Sequence, residues 1–288
     1  MTVFSPSDAA LEGFRLTREH PVAILVWGLF YFLGVMVLGI LMVIGLGPTF
    51  VSFVQSGGME SGDTAAFGQI LEKAWPQFLL IVFLAVVLLS IVTTGVYRLV
   101  LRPHEPTPLK SHLKLGADEV RVTLTNLVML LIGMLCLFAI AATAGLLAGG
   151  NARVVALFSL LLAGVMIWIG VRLSLAAPMT FGEGRLAIAA SWRLTRGHFW
   201  RLLGMILLAT IFYLVIWALV SVIAAVIITL GGGQEAITNF GSMSPVAFVA
   251  LIATLFIQLV LPILQVMILH APLAIAYRAI RQNDVVAD

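Results

Sequence analysis

The sequence predicts an all-α membrane protein with six transmembrane helices, arranged as three parallel repeats of a cytoplasmic interfacial helix followed by a two-helix hairpin. Three observations point there: scarcity of charge, six long uncharged stretches, and a motif that recurs ahead of two of them. Hydrophobic residues make up 61% of the 288 and charged residues only 10%, where a soluble domain carries about 25% charged residues. Even a large soluble fold leaves roughly a quarter of its chain surface exposed. A chain this apolar needs a bilayer to cover that surface.

Stretches free of Asp, Glu, Lys and Arg run over residues 20–59, 74–97, 122–152, 154–171, 202–234 and 236–277. A helix needs about 20 apolar residues to cross the hydrocarbon core. The spans are therefore expected near 21–46, 77–98, 121–148, 153–175, 200–230 and 245–278. The last contains Pro262 and Pro272, and a kink is expected near Pro262, because proline removes one helical hydrogen bond and crowds the preceding turn. The first stretch is too long for the apolar region of a cleavable signal and no A-x-A-like site follows it, so it is expected to stay as a span. The lone cysteine, Cys136, excludes an intramolecular disulfide.

Orientation follows from the basic residues. Arg15 and Arg18 precede the first span. Arg98, Arg102, Lys110, Lys114 and Arg121 lie between the second and third. Arg172, Arg185, Arg193, Arg196 and Arg201 lie between the fourth and fifth, and Arg278 and Arg281 follow the sixth. Fourteen of the sixteen basic residues thus fall on one side, with only Lys73 and Arg153 opposite. The positive-inside rule makes the side with fourteen cytoplasmic, with both termini on it.

Phe14-Arg15-Leu16-Thr17-Arg18-Glu19-His20 precedes span 1, and Trp192-Arg193-Leu194-Thr195-Arg196-Gly197-His198 precedes span 5; five of the seven positions are identical. Leu113-Lys114-Leu115 is a weaker relative ahead of span 3. The span ends also match: Tyr97-Arg98, Val171-Arg172 and Tyr277-Arg278 close spans 2, 4 and 6. These matches divide one membrane domain, residues 1–288, into repeats over about 5–102, 103–178 and 179–281. Each unit has an even number of spans, so the repeats are parallel. Arg98, Arg172 and Arg278 are expected at equivalent cytoplasmic positions.

Each cytoplasmic segment carries helix-start signals. Ser5-Pro6 and Thr107-Pro108 place a capping residue before a proline, and Ser5 to Asp8 and Thr180 to Glu183 fit a capping box. Leu11 and Phe14 share a face in the first segment, as do Leu186, Ala189, Ala190 and Leu194 in the third, with arginines elsewhere. Such helices can lie in the membrane interface with the basic side toward lipid phosphates; a plain connector satisfying the positive-inside bias is the alternative.

Residues 189–202, Ala-Ala-Ser-Trp-Arg-Leu-Thr-Arg-Gly-His-Phe-Trp-Arg-Leu, resemble a stretch typical of bacterial membrane families that include the membrane domain found beside some glycerophosphoryl diester phosphodiesterases and the YciC-like proteins. The resemblance implies a bacterial inner-membrane protein. It does not imply phosphodiesterase activity, which in those proteins resides in a separate soluble barrel that this chain has no room for.

No H-E-x-x-H, G-x-S-x-G or phosphate-binding G-x-x-x-x-G-K-[ST] occurs, and the five histidines include no pair at metal-ligand spacing near a carboxylate. No cofactor, metal or nucleic-acid partner is expected. No ionised group lies deep within a span, which counts against an ion-coupled carrier. Asn126, Gln258 and Gln265 are intramembrane polar groups, the last two on one face with Pro262. They either line a central path or serve as interhelical hydrogen-bonding groups, worth about 0.6 kcal/mol each on average. The expected function is a non-enzymatic inner-membrane module engaging anionic phospholipids through Arg15, Arg18, Arg193 and Arg196, in envelope organisation or lipid homeostasis. The alternatives are an uncoupled carrier of a small neutral or amphiphilic solute and an accessory subunit bound to another membrane protein.

Overall fold

A computed structural model describes residues 6–55, 64–105, 112–146, 152–233 and 244–287. The regular structure among them is helical: α1 (Pro6–Glu19), α2 (Pro21–Gln55), α3 (Thr64–Leu101), α4 (Ala117–Leu146), α5 (Ala152–Leu173), α6 (Ala176–Glu183), α7 (Ile188–Leu194), α8 (Phe199–Leu230) and α9 (Pro245–Ala287). Six segments are long and apolar enough to cross a membrane: Pro21–Pro48, Ala74–Leu101, Ala117–Thr143, Arg153–Glu183, Phe199–Leu230 and Pro245–Gln282. They fall where the uncharged stretches placed them. α9 remains helical through both Pro262 and Pro272. Ser5, Thr107 and Pro108 lie outside the described residues.

α9 is the hub and packs on α8, α1, α3 and α2; α3 also packs on α2 and α4, and α4 on α5 and α6. α2 and α3 run antiparallel, with Gly34 against Leu88 and Gly45 against Gln77. Gly28 lets α2 approach α9 closely, since a β-carbon there would sit 2.8 Å from the Leu259 carbonyl oxygen. Three buried clusters follow. One gathers Trp27, Val96, Tyr97, Phe181 and Met267, another Leu175, Met179, Leu202, Met205 and Tyr277, and a small third Ala10, Ala209 and Ile268. All lie toward the arginine-rich end of the spans. The opposite halves display Val43 and Ile44 on α2, Leu157 and Leu161 on α5, and Leu219 and Val222 on α8. A bilayer accepts such surfaces, because its tails are as apolar as leucine.

α1 docks on the protein. Ala9, Ala10, Gly13 and Leu16 recur at helical spacing and are all buried. A β-carbon on Gly13 would lie 3.0 Å from the Ile268 Cα, so any larger residue would push α9 back from this close approach. Phe14 meets Phe212 of α8 edge to face, with ring centroids 5.8 Å apart. Leu11, expected on the apolar face with Phe14, stays half exposed. The docking face is thus the small-residue stripe.

The segment between the fourth and fifth spans forms two short helices instead of one. Gly184, at φ 66°, closes α6 by donating its N–H to the Thr180 carbonyl. α6 starts at Ala176, so Thr180 lies inside it and the expected Thr180 to Glu183 capping box does not form. The Thr180 hydroxyl instead accepts the Ala187 N–H at 3.2 Å and pairs with Thr125 at 3.0 Å. In α7, Ser191 is buried and Ala190 and Leu194 pack against the second cluster, while Ala189, and Leu186 ahead of the helix, are exposed.

Candidate functional site

The polar chemistry gathers at the arginine-rich end. Because α3 and α4 are antiparallel neighbours, the last turn of α3 faces the first turn of α4. That brings Arg98 and Arg102 to Asp118 and Glu119. The Arg98 side chain is only 1% exposed. It donates to Glu119 Oε1 at 2.5 Å and to the His112 carbonyl at 2.6 Å, and its Nε lies 3.6 Å from the Glu105 carboxylate. Arg102 donates to Asp118 and to the Phe181 carbonyl, both at 3.0 Å, with its guanidinium 4.5 Å from the Phe181 ring centroid. Arg121 closes the group on Asp118 at 3.1 Å. Removing one partner of a buried ion pair costs about 3–5 kcal/mol, whereas replacing the whole pair by apolar residues is often neutral. The network therefore acts as a latch that sets geometry.

His112 contributes backbone as well as side chain. Its φ of 56° is left-handed, uncommon for a non-glycine residue. The Arg98 guanidinium bonds its carbonyl there. Its ring meets the His20 ring edge to face at 6.0 Å, at the junction of α1 and α2. Burial lowers the His112 pKa below the ordinary histidine value, the charges of His20 and Arg98 lower it further, and Glu105 partly opposes them.

Arg172 ends α5 in a different setting. Trp168, one turn earlier, and Trp192 of α7 meet edge to face with centroids 5.0 Å apart. The guanidinium carbon lies 5.8 Å from the Trp168 centroid and 4.9 Å from that of Trp192. Ser191 and Thr195 donate to the Arg172 carbonyl at 3.1 and 3.0 Å, which fixes α7 on α5. The guanidinium itself donates one long bond, 3.5 Å to Thr195 Oγ1, and its buried Nε has no hydrogen-bond partner. Among the described residues no carboxylate pairs with it.

The remaining expected site residues are dispersed. Arg15 is exposed but pairs with Glu12 at 3.4 Å and Glu19 at 3.0 Å. Arg18, Arg193 and Arg196 are exposed. Arg278 donates to the Val100 carbonyl at 3.2 Å, which joins the ends of α9 and α3. Arg98, Arg172 and Arg278 thus meet three different environments. Asn126 donates to Ser90 Oγ at 2.9 Å, an α3–α4 hydrogen bond. Gln265 accepts from the Tyr213 hydroxyl at 3.2 Å, and both it and Gln258 are exposed on the flank of α9.

Reading the arginines as topogenic missed Glu119, Asp118, His112 and the two indoles. Signals for them existed: two adjacent acids at the end of a mostly basic loop, and a Trp-x-x-x-Arg spacing that puts ring and guanidinium on one helix face. Among the described residues no three His, Cys, Asp or Glu side chains converge as a metal site would need. No family model matches the chain, and no curated protein or solved structure matches it significantly.

Proposed function

We propose that this protein is a non-enzymatic module of a bacterial cytoplasmic membrane whose arginine-rich rim engages anionic phospholipids, in envelope organisation or lipid homeostasis. The observation that carries this reading is where the counter-ions are. Glu12, Glu19, Glu105, Asp118, Glu119 and Glu183 are each ion-paired within the protein. Arg18, Arg193, Arg196 and Arg201, exposed at the same end, pair with no carboxylate among the described residues. Their charge is left for an outside anion. Each basic residue beside an anionic leaflet adds roughly 1 kcal/mol of attraction. The fourteen-to-two split of basic residues supports a cytoplasmic placement for this rim and both termini, and the likeness of residues 189–202 to bacterial inner-membrane families supports the compartment.

The threefold organisation belongs to the same proposal. α1 rests on α9, the loop carrying His112 on Arg98 at the end of α3, and α7 on Arg172 at the end of α5. Each cytoplasmic segment so meets the end of a preceding span, taken cyclically. That pattern supports three parallel units with interfacial segments; α6 is an addition to the third.

Native mass spectrometry of the purified chain tests the lipid reading. Arg18, Arg193 and Arg196 are replaced together by glutamine, which leaves most of the basic bias intact. Retained phosphatidylglycerol and cardiolipin are expected to fall severalfold while phosphatidylethanolamine is unchanged. Equal retention of the anionic lipids by parent and variant would remove the proposal's basis.

A further inference from the structure

The arginines of this end divide into those the protein neutralises and those it does not, and among the described residues Arg172 is the partly buried one of the second kind. Arg98, Arg102, Arg121 and Arg185 each have a carboxylate within 4.0 Å. Arg172 has two indoles, one long hydrogen bond and a buried Nε without a partner. A partly buried cation with no counter-ion loses hydration it does not recover from the protein. Contact with the indole rings restores part of that, and the terminal nitrogens keep donors that the protein does not use.

The depth of this group follows from span length. Arg153 and Arg172 bracket α5, nineteen residues apart in sequence. At 1.5 Å per residue that is about 28 Å, against a hydrocarbon core of about 30 Å. With Arg153 at one boundary, the Arg172 backbone lies at the other, and its long side chain reaches outward toward the headgroups. Trp168 and Trp192 sit where interfacial aromatic belts sit. Neither α8 nor α9 fixes its ends in this way, because their uncharged lengths exceed one crossing.

We propose that Arg172, set against the Trp168–Trp192 pair, is a headgroup site that takes the phosphodiester of an anionic phospholipid from the adjoining leaflet. This rests on the lipid-engaging reading of the rim and narrows it to one side chain. Two of the donors not used by the protein face a phosphate as a fork, which a lysine ammonium cannot reproduce. Arg193, Arg196 and Arg201 supply the surrounding positive field. Ser191 and Thr195 both donate to the Arg172 backbone carbonyl, so those two α5–α7 bonds do not depend on which side chain stands at 172.

The test uses the full chain in nanodiscs of phosphatidylcholine doped with phosphatidylglycerol, with bound lipid counted by native mass spectrometry. Arg172→Lys keeps the charge and is expected to lower bound phosphatidylglycerol about tenfold, the scale of one charge-assisted hydrogen bond. Trp192→Phe, which weakens the π face, is expected to lower it by less. Inorganic phosphate at the same concentration is expected not to displace the lipid; displacement would make this a free-phosphate site and overturn the lipid assignment. Parent-level binding by Arg172→Lys overturns the site. If the glutamine variant of Arg18, Arg193 and Arg196 still loses lipid in that case, the rim reading stands and only Arg172 falls; if neither variant loses lipid, both fall. A drop in binding matched by a drop in the melting midpoint in lipid-free detergent would make Arg172 a structural residue and overturn the site as well.

Discussion

Arg98, Arg172 and Arg278 hold matching places in the sequence yet are held in three ways: by two carboxylates, by two indoles and by a backbone carbonyl. The positions were legible from the Tyr-Arg and Val-Arg span ends. Their surroundings were not, because they depend on partners far along the chain, such as Glu119, twenty-one residues beyond Arg98. His112 is the residue whose titration can be read. A histidine in the unfolded chain titrates near 6.5, and burial places the folded value lower. Between the two values the unfolded chain binds more protons, so stability falls as pH drops through 6.5 and levels off below the folded value. The parent is therefore expected to melt at lower temperature at about pH 5.5 than at about pH 7.5. His112→Asn keeps the carbonyl that Arg98 needs and tolerates the left-handed backbone. Its melting point, followed over the same range, is expected to show a smaller acid shift. Identical shifts in parent and variant would show that another group governs the loss.

At the scale of helices, span positions were legible because uncharged length alone decides whether a segment can cross a bilayer. The docking of α1 was harder to see. Leu11 and Phe14 advertise an apolar face, but close approach to α9 selects the smallest side chains, Ala9, Ala10 and Gly13. The Thr180 to Glu183 pattern misled for a related reason: Thr180 has better partners in Thr125 and Ala187 than a helix start offers. Gly13→Leu is expected to force α1 off α9, at about 1–3 kcal/mol for overpacking. Limited proteolysis should then cut within residues 6–19 faster than in the parent. Gly39→Leu is the control, since no neighbouring atom lies within 4 Å of a β-carbon there. Equal cleavage of the Gly13 and Gly39 variants would mean that α1 is not held by this contact.

At the scale of the molecule, buried packing and ion pairs concentrate at one end of six spans whose other halves face outward. The basic residues predict that this end is cytoplasmic. Reporter fusions after positions 110, 185 and 288 are expected to read cytoplasm, and fusions after 59 and 234 the opposite compartment; of these only 185 lies within the described residues. A non-cytoplasmic signal at 110 would reverse the molecule and move the arginine rim to the other leaflet.

The unequal lengths of the spans carry a consequence for the bilayer itself. α5 is 22 residues long and charged near both ends, whereas α8 has 32 residues and α9 has 43. A long apolar helix meets a thicker or thinner membrane by tilting, at a fraction of a kcal/mol per ångström. α5 has no such slack, because thickening the membrane would draw Arg153 or Arg172 into hydrocarbon. α5, the shortest of the spanning helices, is therefore the calliper of the protein: it sets the thickness of membrane in which the chain rests without strain, and tilting of the longer helices is what can match it.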